Sequence, residues 1–210
     1  MIRQVTLAIG LALLGSQALV GEDAVKSKSD PQSTFEPRSD PGAGQKYLEA
    51  LAGDWEVTKT FYPRAGDPVK ATGSCRQTMI HGGRFLKSEF VFHSPGEETT
   101  GLGIIGWDGG TKKFTSFWTD SRSTRISIRQ SEEPFDGKQI VLVSRSLDEA
   151  PNAERGKSKT ITRLEDDGRK IVHRQYTIAP SNEERLIMEL VLTPKDKAGQ
   201  LSAPAAQSNH

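Results

Sequence analysis

The sequence predicts an all-β fold, an antiparallel up-and-down barrel of about ten strands with a short N-terminal helix. Turn signals rich in Gly, Pro, Asn and Asp recur at short intervals, and the segments between them are rich in Val, Ile, Thr and aromatic residues. Only one segment carries a helical signal worth assigning. Antiparallel strands must hide their edges, and closure into a barrel does so; a two-sheet sandwich is the alternative that the same turn spacing allows.

Composition limits the classes of function. The 210 residues suit one domain or at most two small ones. Lys and Arg total 28 while Asp and Glu total 27, so the chain lacks the basic excess that a nucleic-acid-binding protein usually carries. The single Cys excludes a disulfide within the chain and any metal site built from several thiolates. We therefore expect no nucleic-acid partner and no bound metal.

Residues 1–18 have the features of a secretory signal peptide. Arg3 precedes an apolar run over residues 5–14, and the small residues Ser16 and Ala18 provide a cleavage site. The run is shorter than the roughly 20 residues that a membrane-spanning helix needs, and no Cys follows it for lipid attachment. We expect a secreted or periplasmic mature protein without a membrane span, in which Cys75 is unpaired or pairs between chains.

Residues 19–44 are predicted to form a disordered tether. The segment is rich in Pro and Ser and poor in large apolar residues, so it cannot bury enough surface to offset its conformational entropy. Residues 195–210 are similarly polar and are predicted to form a disordered tail. One folded domain then spans residues 45–194, and a domain of that length is large enough to have a hydrophobic core.

The predicted elements follow one another in order. Residues 45–52 carry the helical signal, with Leu48 and Leu51 on one face and Gly53 as a stop. Turns then separate predicted strands at residues 55–62, 71–81, 84–93, 100–107, 113–119, 124–130, 139–147, 158–164, 170–178 and 185–193. Alternation is partial and is clear in the last strand, where one face carries Leu186, Met188, Leu190 and Leu192.

Four short motifs carry a family resemblance. They are Leu51-Ala-Gly-Asp-Trp55, Gly82-Gly-Arg-Phe-Leu86, Gly103-Ile-Ile-Gly-Trp-Asp108 and Phe117-Trp-Thr-Asp-Ser121. The first, a short helix that runs into Gly-x-Trp, is similar to the opening signature of the calycin superfamily. As a set in this order they resemble the DUF1579 family of exported bacterial proteins of unknown function. The resemblance covers residues 45–192 and implies a lipocalin-like barrel in which Trp55 plugs one end, without any established activity or catalytic residues.

Aromatic residues are sparse but clustered. Trp107, Phe117 and Trp118 fall on two adjacent predicted strands, with Phe114 beside them. One interpretation is core packing at the narrow parts of a barrel, and the other is the apolar wall of a ligand pocket. Both hold together when a small barrel encloses one ligand, so Trp107, Phe117 and Trp118 are candidate ligand-binding residues.

Polar residues inside predicted strands are the second group of candidates. Arg125 and Arg129 share one face of their strand, and Ile126 and Ile128 share the other. The arginines hold an anionic headgroup if they face a cavity, whereas they are solvated surface charges if the isoleucines face the core. The second arrangement is the commoner one because unpaired Arg is rarely buried.

His173, also in the middle of a strand, is the remaining candidate for ligand binding. Barrels of this shape can bind haem through one strand His, but a packed or solvent-facing neutral side chain is the simpler interpretation. One His without a partner pattern carries little information, and we expect no cofactor.

Patterns for catalysis and metal binding give no strong candidate. Residues 101–106 match G-x-G-x-x-G but lead into a predicted hairpin, so glycines that relieve crowding in a strand are the simpler interpretation. His81 and His93 lie at opposite ends of a predicted hairpin, roughly 30 Å apart. That separation excludes a metal ion bound by both side chains. Asp108 and Asp120 are roughly 25 Å apart and fit better as turn formers than as paired acid and base.

The preferred function is therefore an exported, non-catalytic barrel that binds or carries a small apolar, amphipathic or anionic ligand. One alternative is an enzyme that uses Glu89, Asp120 or His173 as acid–base groups at the barrel mouth. Another is a filled barrel that binds a protein partner and no small ligand.

Overall fold

The computed structural model describes residues 38–144 and 157–195. They contain one α-helix, α1 (Ala43–Glu49), and ten strands. The strands are β1 (Gly53–Phe61), β2 (Val69–Ile80), β3 (Phe85–Ser94), β4 (Glu97–Asp108), β5 (Lys113–Asp120), β6 (Ser123–Gln130), β7 (Gln139–Ser144), β8 (Lys157–Glu165), β9 (Lys170–Ile178) and β10 (Glu184–Pro194). The predicted signal peptide, most of the predicted tether and the tail from residue 196 lie outside the described residues.

The strands close into an antiparallel up-and-down barrel. Each strand pairs with its neighbours in sequence, and β1 pairs with β10 to complete the ring. The predicted fold class is confirmed, and the closed ring excludes the two-sheet sandwich. Where the structure describes both ends of a strand, its bounds agree closely with the predicted ones, because residues that tolerate positive φ mark the turns, as Gly96 (φ 78°) and Asn182 (φ 65°) do. Residues 145–147 of the seventh predicted strand lie outside the described residues.

Helix α1 starts earlier than the sequence predicts, at Ala43 rather than at residue 45, and ends at Glu49 rather than at residue 52. The Gln45 side chain accounts for the early start: its Oε1 accepts a hydrogen bond from the Gly42 N–H, and its Nε2 donates one to the Trp107 carbonyl. Gly44 allows close approach, since a Cβ there would lie 2.1 Å from the Trp107 ring. The helix start is thus set by a contact with β4 that is distant in sequence.

The core lies inside the barrel and extends to α1. Leu48 is 0% exposed and Leu51 is 2% exposed, as expected for residues on one helix face. Trp55, at the start of β1, is 4% exposed and donates its Nε1–H to the Leu51 carbonyl at 3.1 Å. The residues around α1 and Trp55 therefore fill one end of the barrel.

Cys75 lies in the same core. It is 2% exposed, and burial raises the pKa of its thiol. A disulfide between chains needs an accessible sulfur, so of the two predicted states the native fold supports an unpaired thiol.

Within the described residues, no helix is long and apolar enough to cross a membrane.

Candidate functional site

The barrel interior contains a cavity of about 350 Å³. We call the barrel end occupied by α1 the closed end, and the opposite end, where the turn at residues 121–122 joins β5 to β6, the mouth. Leu51, Leu86 and Ile171 give the cavity an apolar lining. Their packing against the core excludes water from this part of the wall.

Trp118 forms an aromatic part of the wall. Its ring lies against β4, where a Cβ on Gly101 would be 2.3 Å from the indole, and its centroid is 5.6 Å from that of Phe90. Gly103 is also within contact distance of the Trp118 ring, and Gly106 makes room for Phe85. The G-x-G-x-x-G match therefore serves aromatic packing within a strand, and no helix N-terminus follows it to hold a pyrophosphate.

Charged residues gather on the cavity wall near the mouth. Asp120 accepts hydrogen bonds from the Trp118 Nε1–H and from Arg122. Burial pushes the pKa of Asp120 up, but the hydrogen bonds from Arg122 and Trp118 outweigh it and hold that pKa below its usual value. Lys59 lies over the Phe92 ring, 4.8 Å from its centroid, and burial lowers the pKa of its ammonium group.

His173 lines the cavity from β9. Its Nδ1 is 2.8 Å from the Thr162 hydroxyl on the neighbouring strand. Burial, helped by the positive charge of Arg129, lowers the pKa of His173 to about 4. The imidazole is therefore neutral at neutral pH and offers one N–H donor and one acceptor.

Arg129 lines the cavity from β6. The strand ladder places it between Ser116 on β5 and Ser144 on β7. Its Nε atom is buried and has no acceptor among the described residues, and burial lowers the pKa of the guanidinium. The group remains a cation, because guanidinium groups are not deprotonated in proteins.

The cavity wall includes four of the six residues predicted from the sequence: Phe117, Trp118, Arg129 and His173. Trp118 packs inward, and alternation along β5 turns the Phe117 side chain to the opposite face, so Phe117 belongs to the wall through its place in the strand.

Two predicted ligand-binding residues are not part of the cavity wall. Trp107 packs against the start of α1, beyond the closed end of the cavity. Arg125 has the same alternation as Arg129 but is exposed, because it lies close to the mouth end of β6. We therefore withdraw Trp107 and Arg125 as candidate ligand contacts.

Of the acid–base groups of the enzyme alternative, Asp120 and His173 line the cavity and Glu89 does not. Glu89 is exposed on β3 and pairs with Lys87 at 3.0 Å, outside the set of cavity-lining residues. Asp120 is held as an ionised carboxylate at the mouth, whereas His173 is neutral. Asp108 accepts hydrogen bonds from Gly110 and Thr111, as expected for a turn former.

Several polar cavity residues were missed from the sequence. Lys59 alternates with Trp55 and Val57 on β1, so period-2 alternation alone places it on the inner face. Gln77 and Ser88, which share a hydrogen bond of 3.0 Å, and Thr160 line the cavity from other strands. No single-strand pattern identifies these three, because each depends on which face its strand turns inward.

A closed antiparallel barrel with a helix at one end and an internal cavity defines a lipocalin-like barrel. The family model described as "Protein of unknown function (DUF1579)" matches residues 40–193. The chain therefore belongs to the DUF1579 family, as the sequence motifs indicate. None of the curated proteins matches its sequence.

Solved structures with a similar fold include Rv2717c from M. tuberculosis, at 14% identity and a TM-score of 0.51, covering 75% of this chain and 100% of that chain. The S-type phycobiliprotein lyase CPES from Guillardia theta aligns at 11% identity and a TM-score of 0.48, covering 79% of this chain and 97% of the lyase. At these identities the first similarity shows the fold alone.

Proposed function

We propose that this protein binds or carries a small apolar or amphipathic ligand inside its barrel and does not catalyse a reaction. The observation that carries the proposal is the cavity of about 350 Å³. Ligand sites in proteins typically have about 300 to 1,000 Å³, an apolar lining and a few convergent polar groups. A barrel whose only role is structural is expected to fill its interior with side chains.

The distribution of side chains supports an amphipathic ligand. Leu86 and Ile171 provide apolar surface, while His173 and Thr162 offer a polar pair in the same cavity. An apolar ligand gains by leaving water, and a polar group on it gains by meeting the buried donors and acceptors.

Titration with the neutral fluorophore N-phenyl-1-naphthylamine tests the proposal. We expect a saturable fluorescence increase with a stoichiometry of about one, because a cavity of this volume accommodates one small ligand. Thr160→Trp, which places an indole in the cavity, should abolish the increase. The matched control is Thr58→Trp on the exposed face of β1, which should bind the fluorophore like the wild type.

Circular dichroism of both variants establishes that the barrel is intact before binding is compared. If the wild type does not bind, or if Thr160→Trp and Thr58→Trp bind equally well, the cavity is not the ligand site. The structural barrel with a protein partner would then be the better hypothesis.

We also propose that the protein is exported, with residues 1–18 removed as a signal peptide. The support is the sequence pattern of Arg3, the apolar run and the small residues before the cleavage site. The intact mass of protein purified from its own host should lack residues 1–18. Replacement of the small residue by Ala18→Arg should leave the precursor uncleaved, whereas a full-length mass for the wild type would contradict export by cleavage.

A further inference from the structure

Arg129 is a cation in the cavity wall for which the described residues provide no counter-ion. No carboxylate of residues 38–144 or 157–195 forms an ion pair with it, and its buried Nε has no acceptor there. Charged side chains inside proteins are normally paired, because loss of hydration without a partner is costly. The guanidinium is therefore a donor group that a ligand can satisfy.

The charge of the cavity wall also favours an anion. Its charged residues are the cations Lys59, Arg122 and Arg129 and one carboxylate, Asp120. Asp120 pairs with Arg122 at 3.1 Å near the mouth, and Asp120 and Glu97 also attract the Lys59 ammonium group. Arg129 is the cavity cation that no carboxylate among the described residues attracts. His173 contributes no charge at neutral pH. An anion placed among these groups gains Coulomb energy that the surrounding low dielectric strengthens.

The position of Arg129 defines where that anion lies. Arg129 is the last residue but one of β6 and pairs with Ser116 in the middle of β5, whereas Ser123 begins β6 at the mouth. The six intervening steps correspond to about 20 Å along the strand. Trp118, Phe90 and Phe92 also line the cavity and offer apolar surface to the rest of a bound molecule.

We propose that the ligand is an amphipathic carboxylate, whose headgroup binds the Arg129 guanidinium inside the barrel while its apolar tail extends toward the mouth. Guanidinium and carboxylate groups match in geometry and form two parallel charge-assisted hydrogen bonds. This inference rests on the proposed function and deepens it, because it assigns a chemical class of ligand to the same cavity.

Displacement of N-phenyl-1-naphthylamine by dodecanoate and by dodecan-1-ol tests the inference at about pH 7.5, where the carboxylic acid is ionised. The two compounds share a tail and differ in the charge of the headgroup. We expect the wild type to bind dodecanoate about tenfold more tightly, or more, because hydrogen bonds to a charged group are the strong ones. Arg129→Met should remove that preference, so that dodecanoate and dodecan-1-ol displace the fluorophore from this variant with similar affinities.

Arg125→Met is the matched control, since Arg125 lies on the same strand but is exposed at the mouth end. It should keep the wild-type preference for dodecanoate. Acetate provides the test of a free carboxylate without a tail, and it should displace the fluorophore only at far higher concentrations. Arg129→Lys should retain part of the preference, because it keeps the charge but loses the bidentate geometry.

The outcomes separate the two proposals. If the fluorophore does not bind the wild type, the proposed function fails. If the fluorophore binds but dodecanoate and dodecan-1-ol bind equally, or Arg125→Met and Arg129→Met lose the preference alike, the inference fails while the proposed function stands. Acetate that competes as well as dodecanoate also overturns the inference, because the site would then take any small anion.

NMR provides an independent measurement: dodecanoate, and not dodecan-1-ol, should raise the pKa of His173 by neutralising Arg129.

Discussion

Trp55→Ala is expected to lower the free energy of unfolding by about 3 to 5 kcal/mol, the usual cost of truncating a buried aromatic side chain. Trp55 is 4% exposed and belongs to the core cluster that fills the closed end of the barrel. The substitution removes the indole from between the strands and α1 and also leaves the Leu51 carbonyl without its donor. Urea denaturation followed by far-UV circular dichroism measures the loss.

Trp55→Phe is the control, because it keeps an aromatic ring in the core and removes the Nε1–H that donates to Leu51. We expect it to cost about 1 to 3 kcal/mol, the penalty for leaving a buried acceptor unpaired. A loss below about 1 kcal/mol for Trp55→Ala would contradict the packing described here, since deletion of a well-packed core side chain costs more.

Lowering the pH from about 6.5 to 4 is expected to destabilise the protein by roughly 2 to 3 kcal/mol through His173. Burial and the charge of Arg129 lower the pKa of His173 to about 4 in the folded state, whereas the usual value is 6.5. Within this window the unfolded chain binds a proton at His173 and the folded chain does not, so unfolding becomes more favourable as the pH falls. Above about pH 6.5 His173 is mostly unprotonated in both the folded and the unfolded chain, so it no longer makes the free energy of unfolding depend strongly on pH.

Urea denaturation at several pH values measures this effect in the wild type and in His173→Gln. The variant has no group that titrates at this position, so its unfolding free energy should depend less on pH between 4 and 6.5. His93→Gln is the matched control because His93 is exposed on β3, where it contacts Glu98, and we expect it to follow the wild-type curve closely. A slope in His173→Gln equal to that of the wild type would mean that other groups account for the pH dependence.

The strands could be predicted well because their signals are local. Residues that tolerate positive φ, such as Gly96 and Asn182, stand at the turns, and β-branched and aromatic residues fill the segments between them. The sequence predicted that a helix precedes the first strand, but it did not predict the residues at which α1 begins and ends. Its first turn depends on Gly44 packing against Trp107 and on the Gln45 hydrogen bond to the Trp107 carbonyl, two contacts with a residue far away in sequence.

The orientation of β6 is the point at which local reasoning failed. The apolar residues Ile126 and Ile128 favour the interpretation that they face the core, yet Arg129 lines the cavity and Ile126 is 55% exposed. Alternation places two sets of residues on opposite faces of a strand, but it does not say which face turns inward. That choice depends on the ladder that joins Arg129 to Ser116 and Ser144.

The sequence by itself determined the strand order, the barrel class and the family, because turn chemistry, residue preferences and short motifs act over a few residues at a time. Only the tertiary structure decided which polar side chains share the cavity. Arg129, Thr160 and His173 come from three different strands, and they line one cavity because of the combined register of all the strand pairs around the closed ring. The same closure buries His173 near the charge of Arg129, so its lowered pKa is also a property of the assembled barrel.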